Sequence, residues 1–124
     1  MTRSAVLSLV FISSVMFVSA QASQYANSGT LRQIIPGHFV YSVMNGGRPY
    51  NSSIIATSEG AVVIDALGSE AVARAERESI ASVIKQPIRY LVSSPFHDQF
   101  SKGNLAYADV FKIGHENYRA GLLN

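Results

Sequence analysis

Ala61-Val62-Val63-Ile64 is an unbroken apolar run closed by an acid, Asp65. Side chains alternate between the two faces of a strand, so a strand apolar at every position is expected to be covered on both. Such a strand needs neighbours to pair with and layers to pack against. Upstream, Ile34-Ile35 leads into Pro36-Gly37, a turn signal, and His38 to Met44 (HFVYSVM) is dense in β-branched and aromatic residues. Asn45-Gly46-Gly47-Arg48-Pro49 reads as a loop, Asn51 to Thr57 as the next strand, and Ser58-Glu59-Gly60 as a tight connection into Ala61. These strands are expected to form an antiparallel meander.

Beyond Asp65 the period changes. Ser69 suits a helix N-cap and Glu70 the first turn. The spacing predicts a helix over Glu70–Lys85, with Val72, Ala73, Ile80, Val83 and Ile84 on one side and Arg74, Arg77 and Glu78 on the other. Glu70 and Arg74 form an i,i+4 pair in the favourable direction, and Pro87 ends the helix. Ile88–Ser93 is the next strand, Ser94–Asn104 a loop, and Leu105–Ala108 a short helical turn. A strand at Val110–Gly114 and a helix from Glu116 to Leu123 close the chain. Strands, helix, strand, loop, strand, helix is an α/β order.

The N-terminus has a different character. Arg3 precedes an apolar run from Ala5 to Val18, and Ala20-Gln21-Ala22 is a small-x-small cleavage site. That is the build of a secretory signal peptide over residues 1–22; the alternative is an uncleaved membrane anchor, for which the apolar run is short against the roughly 20 residues a spanning helix needs. Residues 23–30 (SQYANSGT) are expected to be a flexible leader, and residues 31–124 one small domain. Removing 22 of 124 residues leaves 102 and lowers the formal charge from +2 to +1. The mature chain has no second long apolar run, so no membrane segment is expected after cleavage. It has no basic cluster to bind nucleic acid. The absence of Cys excludes disulfides, thiol nucleophiles and thiolate-bound zinc. The expected location is outside the cytoplasm, periplasmic or secreted.

The informative stretch is Ser94-Pro95-Phe96-His97-Asp98-Gln99-Phe100-Ser101-Lys102-Gly103-Asn104. It follows Asn51-Ser52-x-x-Ile55-x-Thr57-x-x-Gly60, then Val62-Val63-Ile64-Asp65, a helix, and Lys85-Gln86-Pro87-Ile88-Arg89-Tyr90-Leu91-Val92. From about Pro36 to Arg119 this order resembles the first half of the metallo-β-lactamase superfamily. The resemblance implies the N-terminal half of an αββα sandwich, with a metal loop of the form T-H-x-H-x-D-H-x-x-G-N. Counted back from Gly103-Asn104, Ser94 stands at the Thr and Pro95 at the first His. His97 stands at the second His, Gln99 at the Asp and Phe100 at the third His. One ligand of four survives, His97.

Zinc in such a site is held by imidazoles and carboxylates with a place left for water. Pro95 and Phe100 offer no donor, and Gln99 offers a neutral amide where the motif has an acid. The resemblance therefore implies zinc for the family but no cofactor for this chain. Asp65, Ser94, Gly103 and Asn104 occupy positions that support the loop. Asp65 is expected to accept hydrogen bonds from the Ser93-Ser94 backbone. His97-Asp98 reads more simply as a solvated loop pair than as an acid/base site. His115 fits a helix entry and His38 an edge strand. Ser93 or Ser94 with His97 lacks an orienting acid for serine catalysis. Asn51-Ser52-Ser53 is formally a glycosylation acceptor but matches a strand start in the family.

Two readings stay open. The first is an exported hydrolase-like protein of this fold, incomplete and without zinc-dependent activity: a truncated pseudoenzyme. The second is a non-catalytic binding or interaction module on the same scaffold. The family covers the sheet's second face with its other half. The expected partner is accordingly a complementary second-half polypeptide, or a second copy through self-association.

Overall fold

The computed structural model describes residues 29–95 and 97–123. The expected signal peptide and all but the last two residues of the expected leader lie outside them.

Six strands form one sheet in the order β1-β2-β3-β4-β5-β6. These are β1 (Thr30–Ile35), β2 (His38–Asn45), β3 (Arg48–Ala56), β4 (Ala61–Ile64), β5 (Ile88–Ser93) and β6 (Phe111–Gly114). The meander is as expected: β1 to β4 pair antiparallel. After β4 the chain crosses over through helix α1 (Glu70–Val83), so β5 pairs parallel to β4, and β6 parallel to β5. Helix α2 (Asp98–Ser101) and a 3-10 helix (Lys102–Tyr107) follow β5, and α3 (Tyr118–Leu123) follows β6.

Several boundaries differ from expectation for local reasons. The Asn45–Pro49 loop shrinks to a two-residue turn. Gly46 and Gly47 take φ of 58° and 75°, the conformation of a tight hairpin turn, so Arg48 already pairs with Asn45. Pro49 is tolerated inside β3 because β4 pairs with β3 only from Ser53 onward. The Ser69 hydroxyl caps α1 by accepting from the Val72 amide at 3.2 Å. The helix stops at Val83 rather than Lys85, since Ile84 is already extended. That break turns Ile84 into the core and leaves Val83 56% exposed, so Val83 does not belong to the buried side. The stretch expected as loop up to Asn104 is instead helical from Asp98.

One face of the sheet is dry. Tyr41, Val43, Ile54, Val63 and Leu91 pack there with Val72, Ala73, Ile80 and Ile84 from the α1 segment and Tyr107 from the 3-10 helix. The opposite face carries two cross-strand rows, Ile55-Val62-Tyr90-Phe111 and Ser53-Ile64-Val92-Ile113. On it Tyr90, Phe111 and Ile113 are 39%, 71% and 50% exposed. The expectation that β4 is buried on both faces is thus corrected. Ala61 and Val63 are fully buried, while Val62 and Ile64 are half-buried on the open side.

Candidate functional site

The site lies where β4 and β5 end and the chain leaves the sheet. Asp65 and Leu67 both take left-handed backbone, with φ of 68° and 62°. A β-unbranched Leu in this region costs roughly 1–2 kcal/mol, and surrounding structure must hold it there. The holding contacts are explicit. The Asp65 amide donates to Val92 O at 2.8 Å, and the Ala66 amide to Phe100 O at 3.0 Å. The Gly103 amide donates to Leu67 O at 3.1 Å. The Asp65 carboxylate accepts from the Ser94 amide at 2.8 Å and from the Ser94 hydroxyl at 2.8 and 3.0 Å.

Gly103 is needed for a steric reason. A Cβ on it would stand 1.8 Å from Ala66 O and 2.8 Å from the Ala73 Cβ. The 3-10 helix therefore lies directly on the strand exit and on α1. Asn104 continues the join by donating from Nδ2 to Tyr118 Oη at 2.9 Å. Asp65, Ser94, Gly103 and Asn104 together form a hydrogen-bonded, closely packed frame for the residues between them.

The residues inside the frame bring little coordinating chemistry together. His97 is exposed at the start of α2, and its carbonyl accepts from the Phe100 amide at 2.9 Å and the Ser101 hydroxyl at 3.0 Å. Asp98 pairs with Lys102 at 2.7 Å along the same helical turn. Gln99 is exposed. Phe100 packs its ring 5.9 Å from that of Tyr50, an apolar contact at a position where the motif has a ligand. His115 Nδ1 accepts from the Asn117 amide at 3.2 Å, a local turn at the entry to α3. His38 shares the row of Ile55 and Val62, toward the other end of the sheet from Asp65. Among the described residues, no three of His, Cys, Asp and Glu gather into a group able to hold a metal ion. One imidazole beside a prolyl ring, an amide and a phenyl ring does not fit zinc, which takes three or four nitrogen, sulfur or carboxylate donors.

A second polar feature lies beneath this frame. Glu76 is fully buried on the inner face of α1. Its Oε2 accepts from Tyr107 Oη at 2.8 Å, while its Oε1 and the Ser52 Oγ on β3 are buried without a hydrogen bond of good geometry. Burial pushes the Glu76 carboxyl up to about 7, against the opposing pull of the Ser52 and Tyr107 hydroxyls. Burial also raises the Tyr107 phenol, and the neighbouring Glu76 adds to the shift. The Arg77 guanidinium lies 5.1 Å from the Tyr107 ring centre and pairs with Asp109 at 2.6 and 2.8 Å. Glu76 is not singled out by any motif in the sequence. Its signal was available: Glu76 is four residues after Val72 and four before Ile80, on the apolar stripe.

No protein-family model and no curated protein matches the sequence. Solved structures do match in fold. The metallo-β-lactamase FIM-1 from Pseudomonas aeruginosa, in its mono-zinc form, superposes with a TM-score of 0.71 at 20% identity, over 78% of this chain and 46% of that one. A metallo-β-lactamase from Pontibacter korlensis gives 0.70 at 22% identity over 78% and 48%, and one from Hirschia baltica 0.68 at 15% over 77% and 48%. The chain thus spans about half the length of these enzymes. With its six strands in one mixed sheet and a helix crossing between β4 and β5, the chain has a partial metallo-β-lactamase fold.

Proposed function

We propose that this chain is an exported, hydrolase-like protein of the metallo-β-lactamase fold that does not carry out zinc-dependent hydrolysis with its own residues. The observation that supports this most is the chemistry at positions 95, 99 and 100. Pro, Gln and Phe stand there, and Phe100 is used for packing against Tyr50. A zinc hydrolase needs the ion to bring bound water to a pKa near 7, and the ion needs three or more protein donors. Here the chain supplies the frame around the loop and one imidazole. The test is elemental analysis of purified protein after dialysis, with lactam and ester hydrolysis measured beside it. The expected result is substoichiometric zinc and no zinc-dependent turnover. About one tightly held zinc per chain, lost on His97→Ala, would overturn the reading. N-terminal sequencing of exported protein should begin near Ser23, and an intact Met1 would refute the cleavage.

A second reading, a non-catalytic interaction module, is favoured by the open sheet face. Tyr90, Phe111 and Ile113 lie side by side there and remain substantially exposed. Burying such side chains contributes roughly 1.5–3 kcal/mol each, so a complementary polypeptide or a second copy would gain several times that on covering the face. Sedimentation with hydrophobic-dye binding tests it. A monodisperse monomer that binds no dye refutes this second reading.

A further inference from the structure

The metal-loop frame and the buried acid are joined by one short element. The 3-10 helix carries Gly103 at one end, bonded to Leu67 O, and Tyr107 at the other, bonded to Glu76. We propose that Glu76, with Tyr107 and Ser52, is a proton-operated latch that sets how firmly the 3-10 helix, and with it the Gly103–Leu67 junction, is held against α1 and β3.

The chemistry follows from which oxygens have partners. In the neutral acid, Oε2 accepts from Tyr107 while a protonated Oε1–H can donate to Ser52 Oγ. That pairs Glu76 Oε1 with Ser52 Oγ, the two buried atoms without a hydrogen bond of good geometry, and it does so without placing a charge in the core, whereas the carboxylate can accept from the same two hydroxyls only as a buried anion. In the ionised acid, a full negative charge sits in a dry core, where an uncompensated charge is strongly unfavourable. The groups facing it do not neutralise it. Tyr41 on β2 and Asp65 at the end of β4 both act on it or its neighbours as negative or neutral oxygens. Ser79 and Glu78 on α1 act on Tyr41. Two cations lie near, but the Arg77 guanidinium is bonded to Asp109 and Ala106 O and faces the Tyr107 ring, and the Lys112 ammonium on β6 is bonded to Tyr107 O at 2.9 Å. Ionisation is therefore relieved by opening the layer between Glu76 and the 3-10 helix to water. The element that moves is the one that seals the strand exit at Leu67.

Amide hydrogen exchange across pH 5 to 8.5 tests the latch, read as protection factors so that intrinsic exchange is removed. In the wild-type chain the Gly103 and Ala66 amides should lose protection by up to about tenfold per pH unit as pH rises toward the Glu76 midpoint of about 7, and level off above it. The Ala61 amide, bonded to Pro87 O at the far end of β4, serves as reference for global opening and should stay better protected than Gly103 at every pH. In Glu76→Gln the Gly103 profile should become flat. Tyr107→Phe removes a donor that favours the ionised form, so the midpoint should move upward, and this variant decides the matter if Glu76→Gln does not fold. A Gly103 profile that is flat in the wild type, unchanged in both variants, or matched by Ala61 would overturn the proposal.

Discussion

Gly103→Ala should be among the most damaging single-methyl additions possible in this chain. The new Cβ would lie 1.8 Å from Ala66 O, 2.8 Å from the Ala66 carbonyl carbon and 2.8 Å from the Ala73 Cβ. Two of these three atoms are backbone, so no side-chain rotation relieves the clash. The 3-10 helix must lift off the strand exit. Lifting stretches the Gly103-to-Leu67 bond, now 3.1 Å, and the Ala66-to-Phe100 bond, now 3.0 Å. Each bond contributes about 0.5–1.5 kcal/mol net, and forcing an extra methyl into a packed layer adds about 1–3 kcal/mol. The sum is about 2–6 kcal/mol against a domain's typical margin of about 5–15. Gly68→Ala is the internal control. Its Cβ would meet Gln99 backbone at 3.6 Å, ordinary van der Waals contact, so the change should be within about 0.5–1 kcal/mol of neutral. Urea unfolding of both variants, followed by far-UV circular dichroism, reads the difference as midpoints at constant slope. If Gly103→Ala unfolds within about 1 kcal/mol of the wild type, the close approach that frames the loop does not exist.

Three further outcomes can be checked together. Stability should fall as pH rises. Glu76 is raised from 4.5 to about 7 in the folded chain, so its contribution is fully present below pH 4.5 and lost as pH passes through about 7. The loss over that window is about 3 kcal/mol, measured by denaturant titration at a series of pH values, and it should vanish in Glu76→Gln. Asp109 works in the opposite sense: Arg77 holds it down at about 2, so what it contributes is lost only as pH falls through that value. Because it is 64% exposed, Asp109→Asn should leave the melting temperature nearly unchanged, and a large drop would refute the view of the pair as a surface contact. Phe111→Lys with Ile113→Lys should abolish dye binding and shift sedimentation toward monomer without unfolding the chain. Unchanged association would place the sticky surface elsewhere.

Much of the fold was legible because the informative residues act locally. Ser69 caps its own helix, Pro36-Gly37 turns its own hairpin, and the Ile88–Ser93 run pairs as a strand wherever it lands. The Asn45–Pro49 segment was misread because a Pro normally excludes strand, and only the pairing partner of Pro49 reveals that the N-terminal part of β3 is an edge. Val83 was misread because helical periodicity assumes the helix continues, and a one-residue change of ending reverses which of Val83 and Ile84 faces inward. Glu76 escaped notice because a charged residue on an apolar stripe is ordinarily counted as noise. Its meaning depends on Ser52 and Tyr107, residues 24 and 31 positions away, which no local window contains.

The site itself divides in the same way, and the division explains how a framed loop forms with Pro, Gln and Phe at positions 95, 99 and 100. Among the described residues, the hydrogen bonds that shape the strand exit use backbone groups, the Asp65 carboxylate, the Ser94 and Ser101 hydroxyls and the Asn104 amide. None uses a side chain at 95, 99 or 100. Ligand identity and loop geometry are thus separable, and the first can be lost without loss of the second. Phe100 goes further, since its contact with Tyr50 contributes apolar burial that a buried histidine without a metal would not match. A return to coordinating residues at 95, 99 and 100 would therefore be expected to keep the fold while weakening the packing at Tyr50. Stability and metal affinity oppose each other at that one position. A chain of this fold that did without the ion would have a physical reason to keep the phenyl ring.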